Sequence, residues 1–157
     1  MNTVTMRRDD DLDRAAVWQD FVLAAHLLEV ALERQSQRDG NISHGHFKLL
    51  LLLSAAENQT LGLKALAGML RFSPSRVSHT LNVLERQDLV TRGRVPTGRR
   101  AYEATLTSQG RLLVVRVLSA QRAEIRDVLL DSLGAADAAA LGRISARVVR
   151  VFDEAEA

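Results

Sequence analysis

The stretch TLGLKALAGMLRFSPSRVSHTLNVLERQDLV, residues 60–90, contains two short helical patterns separated by a break. The first has apolar residues at the i, i+3, i+4 and i+7 spacing of an amphipathic helix, namely Leu63, Leu66, Ala67 and Leu70. Ser73 then stands where a helix N-cap is expected, and Pro74 occupies the first helical position, where its missing N–H costs nothing. The stretch therefore predicts two helices joined by a turn, which is a helix-turn-helix.

The second of these helices has two distinct faces. Val77, Leu81 and Leu84 form an apolar side that we expect to face the core. The other side and its flank carry hydrogen-bonding and cationic groups, from Ser75, Arg76, His79, Asn82 and Arg86. Such a surface suits the major groove of DNA, and idle exposure to solvent is the alternative. We predict that these side chains, together with those of Ser73 and Thr80, contact bases or phosphates.

The segment that follows predicts a β-hairpin. Two strands, Leu89–Val95 and Arg99–Leu106, flank the turn signal Pro96-Thr97-Gly98, and a hairpin directly after a helix-turn-helix is a wing. On the second strand, one face is expected to pack on the helices; it carries Tyr102, Ala104 and Leu106. For Arg99 and Arg100, phosphate or minor-groove contact competes with solvation, and for Arg100 also with a salt bridge inside the lobe. Arg92 and Arg94 lie on one face of their strand, where contact with the DNA backbone competes with solvation.

Positive charge is concentrated around these elements. Residues 71–100 hold seven arginines against Glu85 and Asp88, a net charge of +5, whereas the whole chain carries only +2. Such asymmetry is typical of a surface that contacts nucleic acid. Lys64 and Arg71 are two further candidates for phosphate contact.

Longer helices are predicted on both sides of this region. The first covers residues 12–34 and carries one apolar stripe, formed by Leu12, Ala16, Leu23, Leu27 and Val30. The second, residues 45–57, contains five consecutive leucines, Leu49–Leu53, and should be buried. Two more follow the hairpin, one ending near Leu130 and one over residues 135–154, with a bend at the sequence SLGA between them.

Composition excludes several classes of protein. With 157 residues, 46% of them apolar, the chain fits one globular domain, and because it has no cysteine it has neither disulfides nor thiolate metal ligands. No apolar run approaches the roughly 18 residues of a membrane span, and no secretion signal is recognisable, so we expect a cytoplasmic protein. The sequence shows no nucleophile–base pair and no glycine-rich phosphate loop, so we expect neither an enzyme nor a cofactor.

This order of motifs resembles the multiple antibiotic resistance regulator (MarR) family of bacterial winged-helix repressors. The matching residues are Ser73 to Ser78, Leu81, Leu84, Glu85, Leu89, Val90, Arg92, Arg99, Arg100, Leu106, Thr107, Gly110 and Arg111. The resemblance covers about residues 45–115. It implies a mainly helical (α+β) winged helix-turn-helix with the order helix, helix, strand, helix, helix, strand, strand, helix, helix.

Within a single domain, residues 1–157, the resemblance further implies a DNA-binding lobe at 45–108 and dimerisation helices at 10–38 and 109–157. Two recognition helices would enter successive major grooves, and a wing arginine matching Arg99 would enter the minor groove. Two positions depart from the family pattern. Gly98 replaces an aspartate that typically braces the wing arginines. His79 stands where arginine is frequent, which leaves the operator sequence open and would make binding sensitive to pH.

The resemblance also implies an effector pocket between the dimerisation helices and the lobe. Its candidate residues are Trp18, Phe21, His44, His46 and Phe47. For the two aromatic residues of the first helix, core or dimer packing is the alternative. A metal site at His44-Gly45-His46 is disfavoured, because the chain has no cysteine and no acidic residue stands nearby in sequence.

Two functions from different classes follow from these patterns. The leading hypothesis is a homodimeric, sequence-specific DNA-binding transcriptional regulator, a repressor released by a small-molecule effector. Its partner would be a palindromic double-stranded operator with half-sites about one helical turn apart. The alternative is a winged-helix protein-interaction module that binds an acidic partner. The identity of the effector, the operator, the regulated genes and the sign of regulation stay open at this point.

Overall fold

The computed structural model describes residues 6–95 and 102–155, with side chains from residue 13 onward. The elements are α1 (Met6–Gly40), α2 (His44–Ala55), a 3-10 turn (Glu57–Gln59), β1 (Thr60–Gly62), α3 (Leu63–Leu70), α4 (Pro74–Arg86), β2 (Val90–Arg94), β3 (Tyr102–Leu106), α5 (Ser108–Gln121), a π-helical turn (Arg122–Arg126) and α6 (Asp127–Ala155). This is the mainly helical winged-helix order that the sequence predicts.

The helix-turn-helix consists of α3 and α4, and both ends of its turn are capped. α3 ends in a left-handed residue, Arg71, after which the N–H of Phe72 donates to the carbonyl of Ala67 at 3.1 Å. α4 begins as predicted, with Pro74 in its first turn and the Oγ of Ser73 accepting the N–H of Arg76 at 3.2 Å. The turn between the two helices is therefore fixed by backbone and side-chain hydrogen bonds.

The core of the lobe combines apolar side chains from α2, α3, α4 and the sheet. Its completely buried members are Phe47, Leu49, Leu50, Leu53, Leu66, Leu81, Leu84 and Ala104. The predicted inner face of α4 is confirmed, since Val77 is also only 1% exposed. In the leucine run, Leu51 and Leu52 are half-buried. Because each fully buried aliphatic side chain contributes about 1.5–3 kcal/mol, this core holds α4 firmly and leaves its other face outside.

A three-stranded antiparallel sheet in the order β1-β3-β2 completes the lobe. In β3, Thr105 pairs with Thr60 of β1 and with Thr91 of β2. Leu106 is buried as predicted, but Tyr102 is 46% exposed. The prediction that Tyr102 packs on the helices is therefore wrong, because this first residue of β3 lies past the edge of the helical core.

Helix α1 is longer than predicted, and its apolar stripe is exposed. Leu23 and Leu27 are 55% and 56% exposed. By length and composition, the segment Asp13–Gly40 would suffice to cross a membrane. Counting consecutive apolar residues did not predict this, because Asp20 and Glu29 interrupt the run.

The C-terminal end of α1 is attached to α5. Gln35 is buried and donates a hydrogen bond from Nε2 to the carbonyl of Val117 at 3.0 Å. In return, Nε of Arg116 donates to the carbonyl of Asp39 at 2.8 Å. These two hydrogen bonds, one donated by each helix, fix the last turns of α1 against α5.

The chain divides between Val117 and Leu118 into two compact units. In the second unit, α6 is interrupted at Gly134, whose φ of 71° and ψ of 168° confirm the bend predicted at SLGA. None of the described side chains of α6 is buried, and Phe152 is 61% exposed. This unit therefore presents apolar residues to its surroundings along most of its length.

Candidate nucleic-acid interface

The outer surface of α4 presents most of the polar side chains that the sequence predicts there. The exposed residues are Ser75, Arg76, His79 and Arg86, with Asn82 half-buried on the same side. Thr80 differs, because it is only 2% exposed. It lies three residues after Val77 and four before Leu84, so the helical period turns it inward. This corrects the prediction that Thr80 contacts DNA.

The guanidinium of Arg76 is stacked on the ring of Phe72. Its central carbon lies 3.7 Å from the ring centre. The first turn of α2 is close by, since a β-carbon added to Gly45 would stand 3.7 Å from Nη2 of Arg76 and 4.0 Å from the ring. A cation over an aromatic face is attracted by the negative potential of the ring. The ring therefore holds Arg76 at the N-terminal end of α4.

The charge of Arg76 is not cancelled in the part of the chain that the structure describes, where Arg76 forms no salt bridge. The first turns of α2 and α4 contain no acidic residue. Nearby, burial lowers the pKa of His46 below its usual range, and the charges of His79 and Arg76 act in the same direction. The charge of Glu33 acts on His46 in the opposite direction, but Arg76 itself has no salt-bridge partner among the described residues.

The C-terminal end of α4 holds an arginine in a different way. Nη2 of Arg92, on β2, lies 2.6 Å from Oε2 of Glu85, and Nε of Arg92 donates to the same oxygen at 3.0 Å. This ion pair connects α4 to the hairpin. Arg92, which the sequence predicts as a DNA contact, therefore has an internal carboxylate partner.

A groove of about 580 Å³ lies between α4 and the hairpin. It is lined by Ser78, Glu85, Arg92, Gly93, Arg94 and Tyr102. Arg94 stands opposite Tyr102 in the sheet, with its guanidinium 5.8 Å from the ring centre. The groove therefore has one cation, Arg94, that is placed by an aromatic ring, and a second, Arg92, that is paired with a carboxylate.

The remaining basic candidates fall in two groups. Lys64 is exposed in the first turn of α3, and Arg71 is exposed at its end in the left-handed conformation, with φ of 53°. Arg99 and Arg100 lie outside the described residues, and their contact with DNA stays a prediction. The structure thus gathers Lys64 and Arg71 at the same helix-turn-helix as the outer surface of α4.

Some of the residues predicted to line an effector pocket are exposed on α1, and others are buried or half-buried on α2. On α1, Trp18 and Phe21 are 62% and 45% exposed, with ring centroids 6.4 Å apart. On α2, His46 is half-buried, whereas Phe47 is completely buried. Phe47 is therefore a core residue of the lobe, and its completely buried ring is not accessible as a pocket wall, which corrects its assignment to the pocket.

His44 is part of a buried polar contact between α1 and α2. Its Nδ1 lies 3.3 Å from Oγ of Ser36, and its backbone N–H donates to Oε2 of Glu33 at 2.8 Å. That backbone hydrogen bond lowers the pKa of Glu33, and burial lowers the pKa of His44. Among the described residues, no group of three or more histidine, aspartate or glutamate side chains could hold a metal ion.

Sequence reasoning missed the two residues that place Arg76 of α4 and Arg92 of β2, namely Phe72 and Glu85. Phe72 lies outside α4, one residue before its N-cap Ser73, so the i, i+4 rule for pairs on one helix does not predict its contact with Arg76. Glu85 lies seven residues before Arg92, on a different element, and only the return of the hairpin brings them together. No local pattern predicts that pairing.

Comparison with known proteins gives a consistent result. The sequence model of the MarR family matches residues 42–102. Sco3205, a MarR family transcriptional regulator from Streptomyces coelicolor whose structure contains DNA, is 30% identical over 89% of this chain and 91% of that chain, with a TM-score of 0.83. RV1404 from Mycobacterium tuberculosis is 31% identical over 89% of this chain and 92% of that chain, with a TM-score of 0.61.

A more distant structure shares the fold. The transcriptional repressor CouR, bound to a 23-mer DNA duplex, is 23% identical over 83% of this chain and 89% of that chain, with a TM-score of 0.75. A search of curated proteins finds no match.

Proposed function

The chain belongs to the MarR family of DNA-binding transcriptional regulators, and from this premise we propose that it acts in the cytoplasm as a homodimeric, sequence-specific repressor released by a small-molecule effector. The observation that carries the proposal is the outer surface of α4, where polar and cationic side chains stand clear of the core on a capped, firmly packed helix. The similarity to Sco3205, which was crystallised with DNA, supports the same function.

In the proposed complex the lobe at residues 45–108 binds DNA, with α4 in the major groove and the hairpin beside it. The contact set is Lys64, Arg71, Ser73, Ser75, Arg76, His79, Asn82, Arg86, Arg94, Arg99 and Arg100. Arginines neutralise phosphates and release counterions, while the helix reads base edges. Arg92 serves mainly to join the hairpin to α4, because Glu85 already neutralises it.

The exposed apolar faces of the long helices support a homodimer. Large apolar side chains of α1 and α6 are 40% or more exposed, among them Val17, Trp18, Leu23, Leu27, Ile144, Val151 and Phe152. Soluble monomers rarely expose apolar residues on this scale. We therefore assign residues 10–38 and 109–157 to dimerisation, with a second copy of the chain covering these faces.

Effector release requires a ligand with different affinities for two dimer shapes. Trp18, Phe21 and half-buried His46 are the candidates for its contacts, since their side chains are wholly or partly accessible. CouR, which shares the fold, is described as a transcriptional repressor, and we propose the same mode of control for this chain.

The decisive experiment is an electrophoretic shift of a duplex from the protein's own promoter in excess competitor DNA. We expect a specific shift whose affinity falls steeply with salt. The Arg99→Ala variant should bind more weakly, and its log–log salt slope should be about 0.9 smaller for each phosphate that it no longer neutralises. Equal affinity of variant and wild type at every salt concentration would remove Arg99 from the interface. Failure of the wild type to shift any duplex would favour the protein-interaction module.

Dimerisation is tested by placing a charge in the exposed stripe of α1. Leu27→Glu should shift the protein towards monomer in sedimentation, because an unpaired carboxylate would be buried at the interface. Gln87→Glu, which introduces the same charge at the exposed C-cap of α4 and outside the long helices, is the control and should leave the dimer intact. A wild-type protein that sediments as a monomer at micromolar concentration would contradict the proposal.

A further inference from the structure

We propose that Phe72 is a positioning residue for DNA binding, which holds Arg76 by stacking so that its guanidinium grips a backbone phosphate at the N-terminal end of α4. The inference rests on the proposed function. It assigns the phosphate oxygens of a duplex as the ligand of Arg76. It also gives a role to Phe72, which is outside the predicted contact set.

Stacking on Phe72 immobilises Arg76 without using its hydrogen-bond donors. The guanidinium lies with its central carbon 3.7 Å from the ring centre, so its face is occupied. The five N–H donors of a guanidinium point outward in its plane, and two of them match two oxygens of one phosphate. Because the side chain is already ordered, less conformational entropy is lost when it binds. The result is a fixed cation with free donors.

The backbone on both sides of Phe72 is anchored, which sets the position of the ring. The N–H of Phe72 donates to the carbonyl of Ala67, and the next residue, Ser73, caps α4 by accepting the N–H of Arg76. The ring itself is only half-buried. Its position therefore does not depend on deep packing in the core, and part of it remains available to the cation.

A phosphate fits this place better than a base edge. Ser75, His79 and Asn82 follow the i, i+4, i+7 spacing and form one line along the outer surface of α4. Arg76 stands on the flank of that line, and its Nη2 is drawn towards Gly45 in the first turn of α2. The flank of a helix that lies in a groove faces the sugar–phosphate backbone, where contacts fix position rather than sequence.

The electrostatics of the same place favour an external anion. Arg76 has no salt bridge among the described residues, and its charge, like that of His79, lowers the pKa of the neighbouring His46 in the same direction as burial and against Glu33. An arginine that is fixed next to further basic groups lacks an internal counter-charge. A duplex phosphate would supply it.

The test compares wild type, Phe72→Leu, Arg76→Ala and the double variant. Each is titrated by fluorescence anisotropy against a duplex from the protein's own promoter and against a scrambled duplex of the same composition, between about 50 and 200 mM salt. Thermal unfolding of each variant is recorded beside the titrations. Phe72→Tyr retains an aromatic ring and should bind as tightly as wild type.

We expect Arg76→Ala to weaken binding to both duplexes alike and to reduce the log–log salt slope by about 0.9. Phe72→Leu should weaken binding about two- to fivefold with the slope unchanged, because the charge remains while its stacking is removed. In the Arg76→Ala background, Phe72→Leu should have no further effect. Arg76→Lys, which leaves Phe72 intact, should resemble Phe72→Leu, since it keeps the charge and removes the planar stack.

Three results would overturn the inference, and they are distinguishable from failure of the proposed function. If Phe72→Leu weakens binding equally in both backgrounds, the residue acts on the fold and not through Arg76. If Arg76→Lys binds as tightly as wild type, planar stacking is irrelevant. If Arg76→Ala leaves the slope unchanged and abolishes preference for the promoter duplex, Arg76 reads a base. Wild-type protein that binds neither duplex would instead overturn the proposed function, and this inference with it.

Discussion

The two ends of helix α4 each hold an arginine in place, but they do so by opposite means. At the N-terminal end, Arg76 rests on the ring of Phe72 and keeps its charge. At the C-terminal end, Arg92 is paired with Glu85 at 2.6 Å, which places a negative counter-charge directly beside it. Both side chains are ordered, yet only the first is available to an anion from outside.

This difference shows why a count of arginines overestimates the charge that a partner meets. An aromatic ring fixes a guanidinium through its face and leaves its charge unscreened. A carboxylate fixes it through its edge and uses its donors. Affinity for DNA depends on the number of phosphates that are neutralised. We therefore expect Arg76 to contribute to the salt dependence of binding and Arg92 to contribute to the geometry of the hairpin.

The largest expected effect is on stability. It comes from disturbing the packing of α5 against the root of the hairpin, which follows the C-terminal end of α4. Gly110, in α5, lies against the root of the hairpin: an added β-carbon would overlap the carbonyl of Leu89 and stand 2.6 Å from Cδ1 of Leu106. Gly110→Ala should therefore destabilise the protein by about 1–3 kcal/mol, measured by urea unfolding.

The matched control for this variant is Gly68→Ala in α3. A β-carbon at Gly68 has no neighbour within 4 Å, and alanine is the better helix former by about 1 kcal/mol. We expect this variant to be as stable as wild type or more so. If both variants were destabilised equally, the close packing of α5 on the hairpin root would not be the cause.

A smaller effect should follow from releasing the paired arginine. Glu85→Gln removes the carboxylate, so the positive charge of Arg92 loses its internal counter-charge. We expect the log–log salt slope of DNA binding to become steeper by up to about 0.9, opposite in direction to the change expected for Arg76→Ala. Anisotropy titrations across salt concentrations measure both. A slope that Glu85→Gln leaves unchanged would mean that Arg92 lies too far from any phosphate.

The smallest expected effect concerns the pH dependence of stability at the start of α2, where His44 contacts Ser36 of α1. Burial lowers the pKa of His44, and the charge of Lys48 acts in the same direction against Glu29 and Glu33. The unfolded chain then binds a proton more readily than the folded one, so stability is complete above about pH 6.5 and falls as the pH decreases below it. His44→Gln should reduce this decrease in stability between pH 7.5 and 5.5.

Urea midpoints across that pH range measure the effect. An unaltered pH dependence in His44→Gln would assign the decrease in stability to other groups.

Much of the lobe could be predicted from local chemistry. Ser73 and Pro74 mark the start of α4, the spacing of Val77, Leu81 and Leu84 marks its inner face, and Gly134 marks the bend in the last helix. Each of these signals depends on neighbours within about one or two helical turns, which is the range over which a sequence pattern specifies backbone structure.

The parts that escaped prediction depend on tertiary contacts. Thr80 is an exception, because its place in the helical period, three residues after Val77 and four before Leu84, already turns it inward. Tyr102 alternates correctly on its strand but lies beyond the helices that bury its neighbours. The Glu85–Arg92 ion pair needs the hairpin to return to α4. The alternation of residues and the count of charges identify candidate contact residues. Tertiary packing then decides which of these side chains remain accessible to a partner.

The left-handed conformation of Arg71 puts backbone strain into the turn between α3 and α4. A residue with a β-carbon at φ of 53° stores about 1 kcal/mol or more of backbone strain, which glycine would avoid. A sequence optimised only for thermostability would place glycine at this corner. This chain has a long cationic side chain at the strained corner, so an exchange for glycine would relieve the strain and at the same time remove a positive charge from the point where α3 gives way to α4.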